Sequence, residues 1–189
     1  MGFTVIELLI SVTLLAILVI KLTLIINEAS DTHRRETLAM ALEDQAQSVL
    51  DKIGFAVIGS DPATLFPDPE APFWTDNLEY QISLGVEDGA MVWSDPEVIG
   101  LAAEPSHLYW GKNEGTPDEQ IVIWCRTVAD LFSTELDNGA DDNLNGLTDE
   151  SGLSFVLEGN SVRIRLTLER MTKDGRVSYT GETVVTCRN

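Results

Sequence analysis

Oxygen-bearing side chains recur at regular spacing late in the chain, where residues 136–150 read LDNGADDNLNGLTDE. Asp141, Asn143 and Asn145 alternate and Gly146 follows at once. This is the opening of a D-x-[DN]-x-[DN]-G loop, in which every second side chain turns inward and glycine permits the sharp turn. Calcium wants about six to eight oxygens. Asp141, Asn143 and Asn145 would offer side-chain oxygens, Leu147 its carbonyl, Asp149 or Glu150 the closing carboxylate, and Asp137 one more. Calcium is therefore the expected ion, in a structural role, pinning a loop that self-repulsion would otherwise splay. Magnesium, which demands strict octahedral geometry, fits less well. An EF-hand closes on a glutamate at the twelfth position, which here is Gly152, whereas Glu150 stands at the tenth. The spacing is nearer to the shortened loops of extracellular calcium-binding repeats, and two neutral asparagines among the opening ligands should lower affinity. Without a cation, the same composition makes a solvated turn.

A second chemical feature stands at the other end. Between Phe3 and Ile26 the only charged residues are Glu7 and Lys21. A lone charge in hydrocarbon costs roughly 3 kcal/mol or more, so Glu7 reads as a functional group in need of a partner.

The two cysteines, Cys125 and Cys187, each close an apolar, strand-like run, 121–125 and 184–187. Outside the cytoplasm they could form one bridge; as separate residues they would be two buried thiols. No catalytic constellation is evident, and an enzyme is not expected. Two histidines, His33 and His107, and two distant cysteines give no zinc spacing. There is no glycine-rich phosphate loop and no nucleophile elbow. The four tryptophans, Trp74, Trp93, Trp110 and Trp124, are expected in the core and at its edges.

The elements that must position these residues follow from periodicity. The apolar run 3–26 is long enough to cross a membrane at about 1.5 Å per residue. Beyond it, Leu38, Leu42, Ala46, Val49 and Ile53 mark one apolar helical face across 27–59, with Glu43, Asp44, Asp51 and Lys52 off the stripe. No proline interrupts residues 1–60, and Gly54 and Gly59 are natural stops. One helix of about 50 residues is expected, its first half of membrane-spanning length and its second half packed on a domain.

Residues 60–189 should form a strand-rich globular domain. Asp61 to Phe73 reads as a connecting loop with one helical turn at Asp61-Pro62. Leu78, Tyr80, Ile82, Leu84 and Val86 alternate with polar residues as one half-buried strand, and 90–94 and 107–110 are shorter strand candidates. Val162, Ile164, Leu166 and Leu168 alternate likewise, between the turn signals Gly159-Asn160 and Asp174-Gly175. Residues 176–187 should close an antiparallel meander. The expected class is α+β, a long helix laid across an antiparallel sheet, with no internal repeat.

Acidic residues number 31 against 12 lysines and arginines, a net charge of −19. No nucleic-acid partner is expected, because that needs a basic footprint. An extracytoplasmic surface or a cation-binding role fits better.

The segment Gly2-Phe3-Thr4-Val5-Ile6-Glu7-Leu8-Leu9-Ile10 resembles the class III signal of type IV pilins and type II secretion pseudopilins. The resemblance implies residues 1–2 as the remnant of a leader, cleavage between Gly2 and Phe3 by a prepilin peptidase, and methylation of the new amino terminus. It implies that Glu7 pairs with the free amine of Phe3 on a neighbouring subunit, and that a C-terminal bridge such as Cys125–Cys187 is common. It implies a pilin-like fold and, as partners, other pilin or pseudopilin subunits, an inner-membrane assembly platform, and membrane lipid before assembly. Lys21, Arg34 and Arg35 follow the apolar run, and the positive-inside rule alone would put that side in the cytoplasm. The family places the C-terminal domain outside, and the paired cysteines and acidic loop agree with that placement. The expected protein is a minor pilin or minor pseudopilin, held in the bacterial inner membrane and then in an extracytoplasmic filament. A major pilin, or a membrane-anchored, calcium-stabilised adhesin or binding module, are the alternatives.

Overall fold

The computed structural model describes residues 4–67, 74–102, 106–173 and 175–187. The chain divides into two compact units, Met1–Met40 and Ala41–Asn189. Helix α1, Val5–Val57, contributes to both.

In the first unit the helix is exposed from Thr4 to Ser30. Hydroxyls within its apolar run are satisfied internally: Ser11 donates to the Glu7 carbonyl at 2.8 Å, Thr13 to the Ile10 carbonyl at 2.8 Å and Thr23 to the Val19 carbonyl at 2.9 Å. Such back-bonding lets hydroxyls enter an apolar environment without an unmet donor. Among the described residues, α1 is the one helix long and apolar enough to cross a membrane.

The second unit is an α+β domain. Helix residues Leu42, Ala46, Val49, Leu50, Ile53 and Val57 are buried, whereas Leu38 is only half-buried. The buried stripe thus extends the expected face by Leu50 and Val57. Gly54 does not end the helix: a Cβ there would lie 3.4 Å from Val185, so this turn runs close against the last strand. The helix stops at Val57, and Ser60 turns back to bond its carbonyl at 3.0 Å. A 3₁₀ turn, Pro62–Thr64, follows, capped by the Asp61 carboxylate on the Ala63 amide at 2.9 Å.

The strands are β1 (Asn77–Tyr80), β2 (Ser83–Glu87), β3 (Ala90–Trp93), β4 (Glu97–Ala102), β5 (His107–Lys112), β6 (Gln120–Cys125), β7 (Leu153–Glu158), β8 (Ser161–Thr172) and β9 (Gly175–Thr186). They form a four-stranded sheet in the order β1-β4-β5-β6, a β2-β3 hairpin and a three-stranded meander β7-β8-β9. Every pairing is antiparallel. Thr75 and Phe155 exchange both backbone bonds at 3.0 and 2.8 Å, which ties the start of the first sheet to the third. The helix stripe, Leu78 and Tyr80 of β1, Ile99, Leu108, and the inward residues of β7 and β8 share one core.

The single strand expected over 78–86 is instead two strands in different sheets. Ile82 leaves the first ladder to exchange bonds with Ser94 and bridge Ser60, and the chain then bulges before Gly85 at φ +126°. Leu84 and Val86 are consequently exposed, not half-buried. Strands β4 and β7 escape sequence reading because EVIGLA and LSFVLE have no clean period of two. The core also holds a polar cluster: Tyr80, fully buried, donates to Glu97 at 2.9 Å, and Trp110 donates to the same carboxylate at 3.0 Å. Burial first, and the Glu97 charge second, push the Tyr80 phenol well above its ordinary range.

Candidate functional site at the acidic loop and the helix start

Between β6 and β7 the acidic loop curls through its own backbone amides. Asp141 accepts from the Asn145 and Gly146 amides at 3.1 and 2.8 Å. Asn143 Oδ1 accepts from the Asn145 amide at 3.0 Å, and Asn145 Oδ1 from the Leu147 amide at 2.8 Å. Gly146 takes φ +89°, the left-handed conformation the tight turn requires. Leu147 turns its side chain into the protein and is buried, while Leu144 is 87% exposed.

The carboxylates take different roles. Glu150 is fully buried: one oxygen accepts from Arg165 at 2.7 Å and from Ser154 at 3.2 Å, and the other from the Asn145 side-chain amide. Asp149 turns to the Asn138 and Gly139 amides at 3.0 and 2.9 Å. Asp137 is exposed at the loop's start. The seven residues expected as ligands therefore do not all converge. Asp141 and Asn143 share the Asn145 amide and the Asn145 side chain bonds Glu150, whereas Asp149 serves the 138–139 turn. Among the described residues, no group of three His, Cys, Asp or Glu side chains is arranged to hold a metal.

Calcium would meet oxygen ligands among these side chains. Each bonded side-chain oxygen retains acceptor capacity, since a carboxylate offers about four lone-pair sites and an amide oxygen about two. It fits less well in charge, because the Arg165 guanidinium already balances Glu150.

Two organising residues lie outside the spacing motif. Glu135, buried, accepts from the Asn143 and Asp149 amides, both at 3.2 Å, and so pins both ends of the loop. Arg165, on β8, is sandwiched between Glu150, Glu182 at 3.0 Å, and the Phe132 ring at 5.5 Å. Neither role follows from local sequence, because strand pairing brings Arg165 to the loop. Next to it, Arg163 bonds Glu158 at 3.0 Å and Glu182. Burial opposes ionisation of Glu182, but Arg163 and Arg165 outweigh it and hold its carboxyl below the ordinary range. Glu158, bonded by Arg163, is also lowered. Gly152, at the position an EF-hand gives to glutamate, leaves no room for a side chain: a Cβ would sit 2.0 Å from the Ala129 carbonyl.

At the helix start, Glu7 accepts from the Thr4 amide at 2.8 Å and the Thr4 hydroxyl at 2.9 Å, while that hydroxyl faces the Glu7 amide at 3.4 Å. This is a reciprocal capping box, T-x-x-E, a signal local to the sequence. Glu7 is thus locally partnered within a single chain. Gly2 and Phe3 lie outside the described residues.

The cysteines are corrected by the fold. Cys125 and Cys187 are both free and buried, not bridged. Cys125 ends β6 in the first sheet, within 3.4 Å of Gln45 and Thr127, whereas Cys187 follows β9 in the third and bonds the Asn160 carbonyl through its amide at 2.8 Å. Burial is the main cause that raises the Cys187 thiol above its usual pKa.

No family model, curated protein or solved structure matches the chain.

Proposed function

We propose that this protein is a non-catalytic, pilin-like subunit, of the minor pilin or minor pseudopilin kind, of a type IV pilus or type II secretion-like filament. The observation that carries the reading is Glu7, four residues after Phe3 and near the start of an exposed apolar helix. Side chains from Val5 to Ile26 are covered by nothing in the single chain, so they need lipid or other helices. The helix waits in the inner membrane with its C-terminal domain outside, then leaves lipid to pack against helices of neighbouring subunits. Glu7 pairs with the Phe3 amine of a neighbour, which neutralises two charges that neither lipid nor a dry core tolerates alone. Mass spectrometry of the protein from native envelopes should find a chain that begins at methylated Phe3. A chain that retains Gly2 would leave a static anchor and favour a membrane-bound binding module.

The loop would hold calcium through Asp141, Asn143, Asn145 and the Leu147 carbonyl, with Glu150 at the inner end. The ion would supply a cross-link within an acidic segment. At about a hundredfold excess over its Kd, calcium should raise the Tm of the full chain in non-ionic detergent by ~5–10 °C. Asp141→Asn should remove that increment, and an increment that persists in this variant would place the ion elsewhere.

A further inference from the structure

The β2–β3 hairpin stands apart from both larger sheets in its hydrogen bonding. An isolated two-stranded ribbon is marginal in water and gains stability from a further strand or a covered face. Its turn, Asp88-Gly89, has φ +51° and +82°, the pair of positive angles of a tight hairpin turn. Apolar side chains lie exposed on it: Val86 at 68% and Met91 at 44% face each other across the ladder, and Leu84, the extra residue of the bulge, is exposed at 67%. Solvent alone gives no reason for that composition on a ribbon so thinly supported.

Charge selects what would cover it. From Ile53 to Gly111 the chain has ten acids and not one lysine or arginine. Glu87 and Asp88 flank the patch at its tip and Asp95 follows its base, while Lys112, the next cation along the chain, pairs with Glu97 at 3.7 Å. A second copy would bring like charge onto like charge from a chain of net −19, and an anionic lipid surface would be repelled in the same way.

We propose that the hairpin is a docking surface for an extended polypeptide segment in which basic residues alternate with apolar ones. Strand addition along β2 or β3 would complete the ribbon, the apolar residues would pack beside Val86 or Met91 on their shared face, and the cations would meet Glu87 and Asp88. This proposal does not depend on the filament reading.

The test uses the full chain in non-ionic detergent micelles, with a synthetic peptide that alternates lysine and valine as the probe and its glutamate–valine counterpart as control. Hydrogen exchange should slow at amides of 83–93 on addition of the lysine peptide alone, with binding that weakens as salt rises. The double variant Val86→Ser, Met91→Ser, at exposed positions, should lose about tenfold or more in affinity. Undiminished binding by that variant, protection confined to other segments, or equal binding of the glutamate peptide would overturn the proposal. So would protection of 83–93 by micelles alone, or by concentration-dependent self-association.

Discussion

Glu7 and Glu150 show how one residue type takes opposite assignments. Glu7 satisfies a local cap, T-x-x-E, and is proposed to satisfy an intersubunit pair. Glutamine serves in a capping box as well as glutamate does, but carries no charge. Glu7→Gln should therefore retain helix start and domain fold while blocking incorporation into filaments; normal incorporation would reduce Glu7 to a cap. Glu150 is the reverse case, a buried carboxylate neutralised within the chain. Arg165→Met leaves that charge buried and unpaired, and should cost about 3–5 kcal/mol in denaturant unfolding of the full chain. Adding Glu150→Gln should recover part of the loss, because the uncompensated charge goes with it.

Gly152 is fixed by a close backbone approach and not by a positive φ, a distinction that belongs to the elements around it. Its amide bonds the Asp130 carbonyl at 3.3 Å and its carbonyl accepts from Thr167 at 2.6 Å, so the entry to β7 is clamped between the 129–130 segment and β8. Gly152→Ala must move one of those backbones and should destabilise by about 1–3 kcal/mol, read in the same unfolding experiment. The ladder of Glu158, Arg163, Glu182 and Arg165 across β7, β8 and β9 brings a pH dependence with a definite sign. Glu158 and Glu182 have folded pKa values below the ordinary 4.5. Their stabilising contribution is therefore fully present above pH 4.5 and is lost as pH falls through the lowered folded values. Unfolding midpoints measured down through this window should fall, and Arg163→Met should flatten the fall. The elements themselves were readable where period and packing agreed, as in 42–53 and 162–168. They were unreadable where a strand changes sheets at Ile82, because alternation does not record which ladder a residue joins.

At the scale of the molecule, a helix exposed over Thr4–Ser30 and an acidic α+β domain divide the chemistry. The sequence by itself determined the apolar span, the buried stripe of the second half of the helix, the α+β class and the acidic balance, because each is a one-dimensional property of composition or period. It located the acidic loop as well, since Asp141, Asn143, Asn145 and Gly146 are local to one another. Only the tertiary structure decided that Glu150 belongs to Arg165, that Glu135 pins the loop, and that Cys125 ends a strand of the first sheet while Cys187 follows one of the third. It also decided that Leu84 and Val86 face outward. The physical reason is common to all of these: strand pairing joins residues far apart in the chain, and neither register nor sheet membership is carried by the spacing of residues along it.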